Sequence, residues 1–316
     1  MLPVETEPTA SGSGAKAGRR AANLTIAAFV LLVLFGGMNA IGVRYTVLEL
    51  PPFWGAGLRF GAASVLLAVA MLAMRLPMPR GRALVGVILY GLLNFAGTYA
   101  FIYWGFRYVQ PGMAQVLLSL VPLLTLFFAV LHGLESFRWR GLLGALTAIA
   151  GVAVGFQVQT ASNVPPPALL AIIAGAACMA ESGVIVKQFP RVHPVTLSAL
   201  SMALGTVVLL ALSILVGETQ QLPTRPETWA AVAYMVFFGS IAVFMLFLYI
   251  VPRLPISTVS YHFVLLPFVT VSASAWLTGE QITLPLVLGG GLVLLGVWVG
   301  AISQSPIEPP PDAHTA

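Results

Sequence analysis

The sequence predicts an all-α integral membrane protein with ten transmembrane helices, arranged as two inverted five-helix repeats. Three observations lead to this prediction. The chain is strongly apolar, it divides into long hydrophobic segments separated by helix breakers, and one stretch of it occurs twice.

The composition excludes a soluble globular protein. Of the 316 residues, 59% are hydrophobic and 8% are charged, and the mean hydropathy is +0.95. Soluble domains carry about 25% charged residues, so this chain has too few charges to cover a water-exposed surface. The single cysteine, Cys178, lies in an apolar run and indicates no disulfide framework. The basic residues are scattered through predicted loops, which indicates topology signals and no nucleic-acid partner.

The repeated stretch runs from Val109 to Gly155 and again from Leu254 to Gly300. The two copies align without a gap. The matched pairs are Pro122 with Pro267, Glu135 with Glu280, Gly144 with Gly289, Gly151 with Gly296, and Gly155 with Gly300. Chance does not readily place a proline, a glutamate and three glycines in one register, so we interpret this stretch as a true internal repeat.

Ten segments have the length of a membrane span, which needs about 20 mostly apolar residues. The predicted spans are 24–45, 52–74, 83–106, 111–133, 139–157, 167–188, 194–216, 227–250, 256–277 and 284–302. Prolines stand at most of the breaks, where the first helical position tolerates a residue without an N–H. The predicted organisation is a disordered tail (1–22), two repeats (23–160 and 161–303) and a second tail (304–316).

The distribution of basic residues predicts the topology. If the N-terminus is cytoplasmic, eleven Lys and Arg residues fall in cytoplasmic segments and three fall outside. This bias predicts a multi-pass protein of the cell inner membrane with both termini in the cytoplasm. Because each repeat has an odd number of spans, the second half is inverted, an architecture that recurs in secondary transporters.

These features resemble the EamA family of the drug/metabolite transporter superfamily. The matching residues are Pro122, Glu135, Gly144 and Gly151 in one half and Pro267, Gly279, Glu280, Gly289 and Gly296 in the other, together with 58–60 and 186–194. Leu134 departs from the pattern, because the first half lacks the glycine that precedes Glu280. The resemblance implies a basket of helices around a central cavity, with spans five and ten at its periphery. It also implies transport of small metabolites, commonly amino acids.

Three ionisable residues lie within predicted spans, where charge is costly and indicates function. Glu181 is predicted to bind a proton or a substrate amine, the alternative being that it reaches water or pairs with Lys187. Arg59 is predicted to bind a substrate carboxylate or to pair with Glu181. His262 is predicted to carry a proton or to bind a ligand, the alternative being a bond to a backbone carbonyl.

Further polar side chains in the spans are predicted to shape the cavity. They are Asn39, Asn94, Tyr99, Gln115, Ser119 and Tyr261. An amide and aromatic lining favours an amphipathic organic substrate over an inorganic ion.

The residues of the repeat itself have structural interpretations beside functional ones. Pro122 and Pro267 lie mid-span and are either hinges or static kinks. Glu135 and Glu280 lie at helix ends, where we favour capping of spans five and ten over gating. The GxxxG pairs of these spans indicate close helix packing, either between two copies of the chain or between the two peripheral helices.

The predicted function is secondary active transport of a small organic metabolite, an amino acid or similar amphipathic compound, with export favoured. The alternatives are an importer of a vitamin-like or other metabolite, an intramembrane enzyme and a channel. The sequence contains no phosphate-binding loop, no His/Cys metal cluster and no catalytic triad, so we expect no cofactor, no metal and no enzymatic activity. Proton coupling is a hypothesis, and the oligomeric state is predicted to be a monomer or a weak homodimer.

Overall fold

The computed structural model describes residues 11–137, 139–161, 164–250, 253 and 256–302. These residues form α-helices and short π-helical segments, with no β-strand in the described ranges. The first half contains α1 (Ser11–Val47), α2 (Pro52–Ala73), α3 (Arg82–Gly105), α4 (Pro111–Leu131) and α5 (Trp139–Ala161). The second half contains α6 (Pro166–Val186), α7 (Pro194–Leu215), α8 (226–250), α9 (Ile256–Leu277) and α10 (Leu284–Val297).

Seven helices in the described part of the chain are long and apolar enough to cross a membrane. They are α1 to α4, with α1 taken from Ala22, and α6 to α8. Shorter apolar segments lie at Trp139–Val154 in α5, at Leu265–Leu277 in α9 and at Leu284–Gly300. The last of them begins with α10 and continues into a π-helical segment, Trp298–Ile302. These findings agree with a multi-pass membrane protein.

The first helix begins earlier than the sequence predicts. We expected a disordered tail as far as residue 22, whereas α1 begins at Ser11. Residues 11–22 contain four alanines, two arginines and one lysine, which favour extension of the apolar helix toward the N-terminus, although three glycines oppose it. Residues 1–10 lie outside the described ranges.

Helices α3 and α8 each contain a π-helical segment, Gly91–Gly97 in α3 and Phe237–Ala242 in α8. Gly97 corresponds to Ala242 when the repeats are aligned so that Pro122 matches Pro267. The two π-helical segments therefore end at equivalent positions of the repeats. A π-helical segment changes which side chains a helix presents, and such segments often occur at functional sites. Neither segment was predicted from the hydrophobic pattern.

The two repeated prolines have different surroundings. Helix α4 is interrupted at Ser119, and its second part, Val121–Leu131, has Pro122 in its first turn. Pro122 lacks the N–H that would otherwise bond to the carbonyl of Leu118. By contrast, Pro267 lies inside the continuous helix α9.

The glycines of α5 and α10 pack these two helices against each other. A methyl group at Gly144 would overlap the carbonyl oxygen of Gly296, and one at Gly151 would lie 2.5 Å from the carbonyl oxygen of Gly289. The backbones therefore touch where small residues face each other. Of the two packing partners that the sequence left open, the structure has the contact between α5 and α10 of one chain.

The departure at Leu134 has a local explanation. Each repeat turns after its fourth helix through a glycine with positive φ, Gly133 with φ 70° and Gly279 with φ 69°. Glycine adopts this conformation without steric cost. The first half thus has the same kind of turn as the second. Its glycine lies two residues before Glu135, whereas Gly279 lies one residue before Glu280.

Each end of the helical bundle takes its name from one residue that lies there. The Arg44 face contains the connections 48–51, 106–110, 217–225 and 278–283, and the His132 face contains 74–81, 132–137 and 187–193. Arg44 ties its own face together, because its guanidinium donates hydrogen bonds to the carbonyl oxygens of Phe106 and Arg107, the second at 2.9 Å.

Candidate functional site

A central cavity of about 290 Å³ lies between the two halves. Its lining residues come from α1 to α4 and α6 to α9, and none of them comes from α5 or α10. This arrangement agrees with the basket that the resemblance implied. Small-molecule sites begin at about 300 Å³, so the cavity suits a small metabolite.

Arg59 provides the positive charge of this cavity. Its side chain is 1% exposed, and its guanidinium donates to the hydroxyl of Ser240 at 3.3 Å and to the carbonyl oxygen of Gly239 at 3.2 Å. We predicted Glu181 as a possible partner, and this pairing is wrong. In the described part of the chain, Arg59 contacts no carboxylate.

An aromatic wall stands beside Arg59. The guanidinium carbon lies 4.8 Å from the ring centroid of Phe60 and 5.4 Å from that of Tyr99, which are cation–π distances. The Phe60 and Tyr99 rings are 4.4 Å apart at an interplanar angle of 64°, and Phe95 completes the wall. The cavity therefore combines one cation with a large apolar surface.

Asn39 presents an unused hydrogen-bond acceptor near Arg59. Its Oδ1 atom is buried and has no hydrogen-bond partner among the described residues. A buried amide oxygen without a partner costs about 1–3 kcal/mol, so it needs an explanation. A methyl group at Gly239 would lie 2.7 Å from this Oδ1 and 3.4 Å from Nη2 of Arg59. The absence of a side chain at Gly239 thus lets the amide of Asn39 pack directly against the backbone of α8, close to Arg59.

Asn94 and Gln115 also line the cavity, as the sequence predicts for polar residues within spans. Asn94 accepts a hydrogen bond from the hydroxyl of Ser182 at 3.2 Å. Ser119 does not line the cavity, because its hydroxyl donates to the carbonyl oxygen of Gln115 at 2.9 Å. A serine in a helix commonly bonds its own backbone in this way, and here its hydroxyl shares the carbonyl oxygen of Gln115 with its own N–H.

Glu181 also lies outside the cavity lining. Its carboxylate is paired with the imidazole of His132 at 2.7 Å, and the two side chains are 18% and 30% exposed. The amide of Gln188 contacts the other ring nitrogen of His132 at 3.2 Å. The alternative partner from the sequence, Lys187, is not the one observed. The pair links the end of α4 to α6 at the His132 face.

His262 lines the cavity and is 9% exposed, with its ring centroid 6.1 Å from that of Phe247. Tyr261 belongs to α9, and its side chain lies outside the described residues. No group of three metal-ligating side chains occurs in the described ranges, and nothing in this cavity resembles a catalytic triad.

Sequence reasoning missed three components of this region. Gly239 and Ser240 come from the π-helical segment of α8, and His132 follows the end of α4. Ser240 and His132 were both visible as polar residues near predicted spans. Gly239 carried no comparable signal, since a glycine in an apolar helix ordinarily indicates packing.

Together, the helices and the cavity define a polytopic helical membrane protein with a small, cationic and aromatic central site. The EamA-like transporter family model matches residues 23–156 and 166–301. The chain belongs to this family and is therefore a transporter and not an enzyme, as the sequence predicts.

Relatives of known sequence agree with this assignment. The chain is 30% identical over 278 residues to the uncharacterized inner membrane transporter YedA of Escherichia coli, covering 84% of this chain and 90% of that protein. It is 27% identical to the uncharacterized transporter YyaM of Bacillus subtilis, covering 84% and 89%. It is 28% identical to the probable terminal-alkyne amino-acid exporter of Streptantibioticus cattleyicolor, covering 76% and 80%.

A solved crystal structure shares the fold. It aligns with a TM-score of 0.61 at 22% identity, over 87% of this chain and 97% of that chain.

Proposed function

We propose that this transporter exports a small zwitterionic metabolite, an amino acid or a similar amphipathic compound, by alternating access between two inverted halves. The observation that carries the proposal is the guanidinium of Arg59, buried in the central cavity without a carboxylate partner in the described ranges. A buried cation is costly, and a substrate carboxylate offsets that cost by accepting paired hydrogen bonds from the guanidinium.

The surroundings of Arg59 match the rest of such a substrate. The free Oδ1 of Asn39 accepts a hydrogen bond from the ammonium group, while Arg59 binds the carboxylate. The apolar part of the substrate packs on the wall of Phe60, Phe95 and Tyr99. His262, Asn94 and Gln115 complete the lining, and Pro122 and Pro267 are the proposed hinges.

Two observations support alternating access between inverted halves. Helices α4 and α9 begin at Pro111 and Ile256, which are separated by the same offset as Pro122 and Pro267. In addition, α6 begins beside the end of α3 at the Arg44 face, because a methyl group at Gly105 would lie 3.0 Å from the carbonyl oxygen of Ala168. Since α1 ends at that same face, the first helices of the two halves run in opposite directions. Related halves of opposite orientation can exchange conformations of similar energy. Export is supported by the resemblance to a protein described as a probable amino-acid exporter.

The test is transport by the purified protein in liposomes, screened with radiolabelled amino acids and with their decarboxylated amines. We expect saturable transport of amino acids that the matching amines do not inhibit, because an amine lacks the group that binds Arg59. Equal inhibition by the amine would contradict the proposal. Recovery of a chemically altered compound would contradict transport as the whole activity.

A pH gradient tests the proposed coupling site. We propose that the pair of Glu181 and His132 binds the proton that drives transport, because it is partly exposed to water at the His132 face. Glu181→Gln is expected to abolish gradient-driven accumulation in liposomes and to leave exchange without a gradient intact. Glu227→Gln, which alters an exposed carboxylate at the Arg44 face, is the control. Unchanged gradient-driven accumulation in the Glu181 variant would remove this residue from coupling.

Gly239 offers a test of the binding geometry. Gly239→Ala is expected to weaken substrate binding about tenfold, because its methyl group would lie 2.7 Å from Oδ1 of Asn39 and would displace this amide from its position near Arg59. Gly183→Ala is the matched control, since a methyl group there meets nothing within 4 Å. Competition binding in detergent measures both variants. Equal affinities would show that the position of the Asn39 amide does not matter for substrate binding.

A further inference from the structure

A carboxylate of the second half bonds to the start of a helix of the first half. Glu280 lies in the connection between α9 and α10, and its Oε2 accepts a hydrogen bond at 2.9 Å from the N–H of Gly112, the second residue of α4. The hydroxyl of Ser274 donates to the same oxygen at 2.5 Å. The first N–H groups of a helix lack intrahelical partners and carry partial positive charge.

This bond corrects the expectation that Glu280 caps its own helix. The N-terminus of α10 is capped by Thr283, whose hydroxyl accepts from the N–H of Leu286 at 3.4 Å. Glu280 is therefore free to bind across the two halves. The bond joins them at the Arg44 face.

Two other carboxylates make bonds of the same kind at this face. Glu218, from the second half, accepts from two N–H groups at the start of α2, with distances of 3.2 and 2.9 Å. Glu49, from the first half, accepts from the N–H groups of Thr224 and Arg225 just before α8. The hydroxyls of Thr224 and Thr228 lower the pKa of Glu49 to about 2, so this carboxylate is charged at neutral pH.

Buried apolar side chains lie beneath these bonds. Phe106, Val109 and Met113 lie at the Arg44 face where α3 is connected to α4, and each is at most 1% exposed. Phe106 also lines the cavity. A passage for substrate through this face would require these side chains to separate, and the bonds between the halves hold them together.

The repeat supplies a counterpart to Glu280 at the other face. Glu135 aligns with Glu280, and Ser257, the second residue of α9, aligns with Gly112. Glu135 is exposed, and its carboxylate has no hydrogen-bond partner among the described residues. In the described part of the chain, the carboxylate of Glu280 is thus hydrogen-bonded and the equivalent carboxylate of Glu135 is not.

We propose that Glu280 is a latch that holds the Arg44 face shut, and that Glu135 forms the equivalent bond to the start of α9 when the His132 face shuts. The inference rests on the proposed alternating access, in which only one face is open at a time. Breaking one latch and forming the other exchanges one bond between a carboxylate and a helix start for another of the same chemistry.

Cysteine accessibility tests the latch without any substrate. In a Cys178→Ala background, Val43→Cys places a thiol in the cavity lining, at a position that is 3% exposed. An impermeant maleimide is applied to either side of sealed membranes. A separate Thr219→Cys variant, in an exposed loop of the Arg44 face, identifies the side from which that face is reached.

We expect Glu280→Gln to raise labelling of the cavity cysteine from the Arg44 side about tenfold, since a charge-assisted hydrogen bond is lost. Gly112→Ala is expected to do the same without changing charge, because its methyl group would lie 2.9 Å from a carboxylate oxygen of Glu280. Glu227→Gln at the same face is expected to leave labelling unchanged.

Three results would overturn the latch. Labelling of the Glu280 variant could match that of the Glu227 control while both remain folded by thermal unfolding in detergent. Labelling could rise equally from both sides, which indicates general loosening. Glu135→Gln could raise labelling from the Arg44 side as Glu280→Gln does, which excludes alternation between the two. Because no substrate is used, a liposome screen without transport rejects the proposed function and leaves the labelling result standing.

Discussion

Replacing Arg59 by lysine is expected to weaken substrate binding by about 100-fold, although the positive charge is kept. The guanidinium offers a planar fork of N–H donors to a carboxylate, and part of that fork is already held in place by Ser240 and Gly239. An ammonium cannot reproduce this geometry. Binding of an amino acid found in the liposome screen, measured by scintillation proximity in detergent, checks the prediction.

The matched control is Arg107→Lys, which makes the same change in a side chain exposed at the Arg44 face. We expect it to leave affinity unchanged. Arg59→Gln is expected to lose more binding than Arg59→Lys, because it also removes the charge. If the lysine variant bound as well as the parent protein, the cation would serve the packing of α2 against α8 and not the substrate.

The sequence was sufficient to predict Arg59, Asn39, Asn94, Gln115, Tyr99 and His262 as cavity residues. The reason is physical: a polar side chain within an apolar span is costly unless it faces the bundle interior. The same reasoning failed for Ser119, because a hydroxyl has another way to be satisfied. It bonds a carbonyl of its own helix, and the sequence does not distinguish the two outcomes.

Glu181 and Glu280 show a second limit. Each was correctly located, in a span or at a helix end, and each has a different partner from the one expected. The observed partners, His132 and Gly112, lie far away in sequence. Spacing along one helix predicts partners on that helix, whereas these bonds depend on which helix starts and ends meet at one face.

The repeat predicted the fold better than it predicted the site. Equivalent positions give equivalent helix starts, which follow from local sequence. The site depends on the differences between the halves, such as Gly239 beside Asn39 and His262 in place of Leu117. Pro122 and Pro267 illustrate the same point, because identical residues interrupt α4 and leave α9 continuous.

Among substitutions that add one methyl group to the peripheral helices α5 and α10, Gly144→Ala is expected to destabilise the protein most. Its Cβ would overlap the carbonyl oxygen of Gly296 and lie 2.5 Å from the Cα of Gly300. Both are backbone atoms, so no side chain can move aside and α5 must shift away from α10. We expect the free energy of unfolding to fall by about 3 kcal/mol, the upper part of the range for overpacking. Thermal unfolding in detergent measures the effect.

Gly291→Ala is the control within α10, because a methyl group there meets nothing within 4 Å. Combining Gly144→Ala with Gly296→Ala is expected to cost less than the sum of the single variants, since the first substitution already separates the helices that the second would push apart. Additive losses would mean that the two glycines contact different surfaces. A change in oligomeric mass with an unchanged unfolding temperature would mean that they join two copies of the chain, and the contact between α5 and α10 would then not be what the repeated glycines maintain.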